Sequence, residues 1–426
     1  MGHIEDHPLR YELANELHAR PFPSLHAPCR AVFLAIKKAG SAETRDRKAD
    51  RAHLIALLDR HGAAHPTPDA THYSGQIGRH VLKWEQHTEF VTYTVFLNGL
   101  SDRPFDAADF EVFPADWLAD APGVRLTSAI VRIETRPEEE VVSRHISDWF
   151  VPESVAVSKV VDDGAIVAGD FRIDDSGHMR FAVFLSDVSK HRRAGRVVQR
   201  LCEIETYKTM SMLGLSRIRA MSDRLNEIDA SLTTLMEDMA QGETEADQTL
   251  NELLSLSAEL ETMIAQSSFR FAASKAYEAI VNQRIQVLRE ERFTGRQTIA
   301  EFMMRRYDPA MRTVRSNEGR LSAMSERAIR AGELLRTRVD VERSAQNQAL
   351  LESMDRRADL QLRLQKTVEG LSVVAISYYA VSLVGYLLYP LASAIDISKG
   401  LLTSLITLPV VLTVWFMVHS IRKKME

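Results

Sequence analysis

The sequence predicts an α+β cytoplasmic domain, a long helical hairpin and stalk, and two C-terminal transmembrane helices. Three observations predict it. Two uncharged runs of spanning length lie near the C-terminus; helical periodicity runs almost without a break through residues 191–366; and strand-like runs separated by turn residues fill residues 1–190.

The membrane hairpin, residues 367–426, gives the clearest signal. Gly370 to Tyr389 reads GLSVVAISYYAVSLVGYLLY, with no charge in 20 residues. At about 1.5 Å per residue this is roughly 30 Å of helix, the thickness of a hydrocarbon core. PLASAIDISK follows as a break, and Gly400 to Val418 is the second uncharged run, with Pro409 tolerable inside a membrane helix. Arg356, Arg357, Arg363 and Lys366 precede the first span; Arg422, Lys423 and Lys424 follow the second; the loop holds only Lys399. The positive-inside rule then places both termini in the cytoplasm, here of a bacterial inner membrane. The N-terminal MGHIEDHPLRYELANELHARP has no apolar run to act as an export signal.

In residues 1–190, Ala31–Ile36 is a short apolar run and Ala42–His61 has helical spacing. Ile77–Trp84 and Phe90–Leu97, separated by polar QHTE, read as a β-hairpin. Phe105–Asp120 reads as helix and Val124–Glu134 as strand. Ala165–Ile173 and His178–Leu185 flank the turn sequence DDSG. Residues 191–366 change character: only Pro309 interrupts helical spacing. Val198, Leu201, Ile204, Tyr207, Leu225, Ile228, Leu232, Leu235 and Met239 form an outgoing stripe. Leu250, Leu253, Leu254, Leu260, Met263 and Ile264 form the returning one, with QGETEADQ as the turn.

Charge is partitioned within that helical region. Between Leu225 and Phe269 stand ten carboxylates and no Lys or Arg, among them Glu237, Asp238, Glu243, Glu245 and Asp247 around the turn. Arginine dominates from Arg270 to Lys366. Such a block is either a solvated face or a device that attracts cations toward a basic inner ring. A net charge of −5 and a pI near 6.3 give no case for nucleic-acid binding.

One periodicity crosses from the stalk into the first span. At about 100° per residue, Gln361, Gln365, Ser372, Tyr379, Ser382 and Tyr386 share roughly 100° of arc on one helix. Leu351, Met354, Ala358 and Val368 sit close to the same seam. Hydroxyls inside lipid turn to another helix or to water, so the seam predicts self-association of the first span. Either the hydroxyls bond backbone carbonyls and the helices only pack, or the seam lines a water-filled conduit.

No nucleophile elbow, Walker loop, GxGxxG or HExxH is present, and an enzyme is not expected. Ten of the fourteen histidines lie in the first 87 residues, but His53, His61, His65 and His72 fit no compact metal motif and read as surface groups. Glu203 and Glu205 point to different faces of a helix. Cys29 and Cys202 match no metal or disulfide spacing, in keeping with a reducing compartment. No cofactor is implied, and whether a metal ion binds, and which, is left open by the sequence.

Residues 7–30, 194–215 and 367–388 (HPLRYELANELHARPFPSLHAPCR, AGRVVQRLCEIETYKTMSMLGL, TVEGLSVVAISYYAVSLVGYLL) resemble a proteobacterial family of membrane-anchored proteins known as a domain of unknown function. The architecture also resembles CorA-type magnesium channels: a cytoplasmic α/β domain, an acidic helical hairpin, a stalk helix entering the first span, a short outer loop and a basic tail. Residues 334–365, with the Gln346–Asn347 pair, resemble the stalk approach of that superfamily. The Gly-Met-Asn that closes the first span there is replaced here by Gly385, Tyr386 and Leu387. The resemblance therefore implies a fold and a homopentamer rather than a magnesium site. The expectation is a homo-oligomer conducting an inorganic ion along Gln361, Gln365, Ser372, Tyr379, Ser382 and Tyr386, with the acidic hairpin and the tail (Arg422, Lys423, Lys424) gating or attracting it. The alternative is a non-conducting scaffold or sensor whose residues 1–190 bind a partner or ligand.

Overall fold

The computed structural model describes residues 4–16, 22–40, 45–187, 191–241, 246–394 and 398–425. In chain order the elements are α1 (Arg10–Glu16), β1 (Cys29–Lys37), α2 (Arg47–Arg60), β2 (His72–Ile77), β3 (His80–Gln86), β4 (Phe90–Asn98), a 3-10 turn (Ala107–Val112), α3 (Ala115–Ala119), β5 (Val124–Thr135), α4 (Glu139–Trp149), β6 (Ala156–Val160), β7 (Ala165–Gly169) and β8 (Met179–Leu185). Then come α5 (His191–Gln241), α6 (Ala246–Leu288), β9 (Glu291–Arg292), α7 (Ile299–Arg306), α8 (Asp308–Ala394) and α9 (Lys399–Met425). The architecture is mixed α+β. It divides into two compact units, residues 1–332 and 333–426.

The first unit is built on a nine-stranded sheet in the order β2-β3-β4-β1-β5-β8-β7-β6-β9. Pairing is antiparallel except between β5 and β8. β1 is continuously apolar because both faces of the sheet are covered. Its Ala31, Phe33 and Ala35 join the cluster that includes Val198, Leu201 and Ile204 of α5. Its Val32, Leu34 and Ile36 meet Leu54, Leu57 and Leu58 of α2 and Trp117 of α3. Beyond β1, Ile130, Ile166 and Phe184 pack on Val142 and Ile146 of α4.

β3 and β4 pair as the expected hairpin. Ile77, however, closes an additional strand, β2, which pairs with β3 across Gly78 and Arg79; Gly78 takes a φ of +55°. Pro114 divides the helix expected over Phe105–Asp120 into the 3-10 turn and α3. The DDSG segment does join β7 to β8, with the Asp174 carboxylate accepting from the Ser176 and His178 amides at 3.0 Å each.

α5 and α6 form the expected hairpin. Leu225, Ile228, Leu232, Leu253 and Leu260 are buried between its arms and the first turns of α8, where Met311, Val314, Leu321 and Met324 complete a three-helix core. Leu254, placed on the returning apolar face by its spacing, is 55% exposed. The helical region is also interrupted after α6. β9 adds to the edge of the sheet, Phe293 buries completely, and the Glu290 carboxylate accepts from Ser158 Oγ at 2.7 Å and from the Ala300 amide at 2.8 Å. Sheet and helical hairpin thereby belong to one unit.

Candidate functional site

The second unit carries the polar seam. α8 and α9 are two helices long and apolar enough to cross a membrane. α8 continues past Pro390 to Ala394, so the break expected at 390 begins later; residues 395–397 lie outside the described ones. Gln361, Gln365, Ser372, Tyr379 and Tyr386 are exposed along α8, and Ser382 is half-buried. Tyr379 and Tyr386 are 68% and 75% exposed, so among the described residues most of each ring is uncovered. The seam serines satisfy themselves locally. Ser372 Oγ donates to the Val368 carbonyl at 2.8 Å and Ser382 Oγ to the Tyr378 carbonyl at 2.9 Å. Gln365 Nε2 donates to Glu369 at 3.2 Å.

α8 and α9 border a cleft of about 850 Å³. Its lining includes Ser377, Tyr378, Ser382, Tyr386, Lys399 and Thr403. Only the outer two seam residues, Ser382 and Tyr386, reach it. The Lys399 ammonium stands 5.4 Å from the centre of the Tyr389 ring. Ser377 is 6% exposed, and its Oγ has no hydrogen-bond partner among the described residues. Sequence spacing singled out the seam but not Ser377, which becomes distinctive only once α9 is placed.

In the acidic hairpin, Glu237 and Asp247 are exposed and Asp238 is half-buried; Glu243 and Glu245 lie outside the described residues. Nearer its base the carboxylates meet arginines. Asp229 accepts from Arg320, at 2.7 Å, and from Arg327 of α8. Glu259 takes a two-pronged contact from Arg224 at 2.6 and 2.7 Å. These hydrogen bonds hold the Asp229 and Glu259 carboxyls below their ordinary ranges. Arg422, Lys423 and Lys424 fall on the last turn of α9, of which the backbone alone is described.

A second polar region, between the sheet and the α5–α6 pair, was not found from the sequence. Glu205 is fully buried, accepting from Lys208 Nζ at 2.6 Å, Thr209 Oγ1 at 3.0 Å and Thr127 Oγ1 at 3.2 Å. Two residues earlier Glu203 faces elsewhere, toward Arg284 and Gln199, as the helical spacing requires. Lys83 reaches Gln199 Oε1 at 2.7 Å and Glu85 at 3.2 Å. Glu89 binds Arg270 and accepts from the Tyr277 hydroxyl at 2.9 Å; burial, then that carboxylate, pushes the phenol upward. Each charge here has an opposite partner, the arrangement that keeps buried ions in place. The cluster can lock α5 and α6 to the sheet, and a water-sized cavity lined by Lys83, Thr92, Gln199 and Tyr207 adjoins it.

His53 is buried rather than on the surface. Its Nδ1 lies 2.9 Å from Tyr93 Oη, its Nε2 lies 3.0 Å from the Trp117 carbonyl, and its ring stacks on Trp117 at 3.9 Å. His65 pairs with Asp59 at 2.6 Å on the surface. No group of three or more His, Cys, Asp or Glu side chains fit to hold a metal ion occurs among the described residues. Cys29 and Cys202 are both buried; burial pushes the Cys29 thiol up to about 12, leaving it protonated and unreactive at neutral pH.

Residues 5–425 match the model of a family described as "Protein of unknown function (DUF3422)". No curated protein and no solved structure matches the chain.

Proposed function

We propose, for a chain that belongs to this family, that it acts as a CorA-like membrane homo-oligomer, a pentamer, whose first spans surround a conduit for an inorganic ion. α8 and α9 cross a bacterial inner membrane, with both termini on the cytoplasmic side where the flanking Arg and Lys residues gather. The observation that carries the reading is the seam itself. Ser372, Tyr379, Ser382 and Tyr386 follow one another through a membrane-crossing length of α8, and two of the tyrosines are more than two-thirds exposed. A phenol in mid-bilayer is stable against another helix or against water, not against acyl chains. Gln361 and Gln365 continue the same line at the cytoplasmic mouth. Glu237, Asp238, Glu243, Glu245 and Asp247 raise the local cation concentration, and Arg422, Lys423 and Lys424 provide the opposing charge.

A second reading, a non-conducting scaffold or sensor whose residues 1–190 bind a partner or ligand, is favoured by one observation. The Ser372 and Ser382 hydroxyls bond their own helix and need no water. Cysteine accessibility separates the two. Ser372→Cys, Ser382→Cys and Tyr386→Cys, in the oligomer in membranes, are treated with a charged, water-soluble thiol reagent; Cys29 and Cys202 are buried and give a low background. A conduit makes these positions react faster than Val384→Cys and Leu388→Cys, which lie on the opposite face of α8. Equal, negligible reaction at all five sinks it.

A further inference from the structure

The stem of α8 carries a longer pattern than the seam in the span. From Asn347 the positions Leu351, Met354, Ala358, Gln361, Gln365, Val368, Ser372, Ala375, Tyr379, Ser382 and Tyr386 alternate steps of four and three residues without an exception. A straight α-helix has 3.6 residues per turn, so a stripe held at 3.5 stays on one side only if the helix coils around like helices. Among the described residues nothing covers its cytoplasmic part: every residue from Asp340 to Val368 is exposed. Leu351 and Met354 are 65% and 59% open to solvent. Most of a helix's stability in a protein comes from packing of its apolar face, and these apolar side chains have no reason to lie in register unless they are buried.

We infer that Asn347–Tyr386 is one strand of a parallel, in-register bundle of four or more copies of this chain. The inference rests on the membrane reading above and deepens it. Only another copy fits as the partner, because the stripe continues into the span and every copy enters the bilayer at the same residue. Identical layers therefore meet, Gln361 against Gln361 and Gln365 against Gln365.

The number of strands follows from the width of the stripe. A two-stranded coil buries the seam and leaves its flanks in water. Here Leu350 and Leu364 stand on one flank and Leu362 on the other, 57–65% exposed. The seam and these leucines together span about 150° of arc, wider than the strict a/d seam of a two-stranded coil. Charge avoids the stripe's centre: Glu352, Arg356, Asp359, Arg363 and Lys366 fall on the opposite side, and Asp355, Arg357 and Glu369 on the flanks between the leucines.

Along the axis the layers change chemistry. Leu351, Met354 and Ala358 make an apolar plug in the cytoplasm. Gln361 and Gln365 then place two successive rings of carboxamides just before the first uncharged run. Amides in such layers fix register at some cost in stability, because an offset copy leaves them facing apolar groups. They also offer a ring of neutral oxygen dipoles to a cation leaving or entering the span.

Single cysteines in the full chain in its membrane test this. Met354→Cys, Gln361→Cys and Val368→Cys are compared with Arg356→Cys and Arg363→Cys under mild oxidation, alongside the mass of the detergent-solubilised unsubstituted assembly. The inference requires rapid disulfide-linked pairs at 354, 361 and 368, none at 356 and 363, and a mass of at least four chains. Linking at the charged positions instead, a mass of one to three chains, or no linking at any of the five overturns it. Ion flux is read separately: a bundle that links as expected yet conducts nothing refutes the conduit and leaves the bundle standing.

Discussion

Asp229 on α5 accepts hydrogen bonds from two arginines about two turns apart on one face of α8, Arg320 at 2.7 Å and Arg327. The ion triad ties the outgoing arm of the acidic hairpin to the helix that follows it, across a core of Leu232, Leu321 and Met324. It also shows what part of the acidic block does: this carboxylate is spent on the fold, while Glu237 remains exposed.

Asp229→Asn should lower stability at neutral pH by about 0.5–1 kcal/mol, the scale of a pair one-third exposed to screening solvent. The folded carboxyl is held below its unfolded value, first by the Arg320 hydrogen bond. Its contribution is therefore present above the unfolded value of about 3.9 and lost as pH falls through the lower folded one. Denaturant melts of parent and variant should differ at pH 7 and converge as the pH is lowered beneath about 3.9. A constant difference down to pH 2 would assign the effect to packing instead.

Two glycines on long helices should respond in opposite directions. A Cβ at Gly195 would stand 1.7 Å from the Pro23 carbonyl oxygen, a backbone atom that cannot step aside. Gly195→Ala should cost about 3 kcal/mol and free the segment around Pro23, seen as faster proteolysis there. Gly319 has nothing within 4 Å of that position. Gly319→Ala should raise stability by about 0.5–1 kcal/mol through helix propensity alone.

His53 gives a pH-dependent test of the sheet's second face. Burial lowers its pKa, so the folded protein holds it neutral. The stability this provides is full above the unfolded value near 6.5 and is lost as pH falls from there through the depressed folded value. His53→Ala should cost about 2–4 kcal/mol at pH 7.5, leaving Tyr93 Oη and the Trp117 carbonyl without their partner. It should also flatten the decline in stability between pH 6.5 and 5. Tryptophan fluorescence reports it directly, since Trp117 stacks on the imidazole.

FVTYTVFL of β4, rich in β-branched and aromatic residues, was legible as a strand, whereas AVFLAI of β1 read only as a short apolar run, which pattern alone cannot tell from a buried helix segment. β2, HYSGQI, sits at the sheet edge with five of its six residues half-buried or exposed, and no apolar pattern betrays it. β6 is short and carries the half-buried Lys159. The return of the chain to the sheet after α6 was hidden for another reason. Arg289 and Thr294 adopt positive φ values of 51° and 44°, conformations imposed by tertiary contacts that composition does not announce. His53 was misread because an imidazole's burial depends on two partners, Tyr93 and Trp117, forty and sixty-four residues away. The helix that carries the seam was legible from its spacing. Ser377 and the cleft depend on where α9 lies, which spacing does not encode.

The central claim is that the first spans enclose a conduit, and ion flux through the reconstituted assembly tests it most directly. Purified full-length oligomer in liposomes, at several protein-to-lipid ratios, is assayed with monovalent and divalent cations and with anions. The account predicts a flux that scales with protein and falls when Ser382 or Tyr386 is replaced by a bulky tryptophan at the seam. An assembly of correct mass that passes none of these ions under any gradient would contradict it.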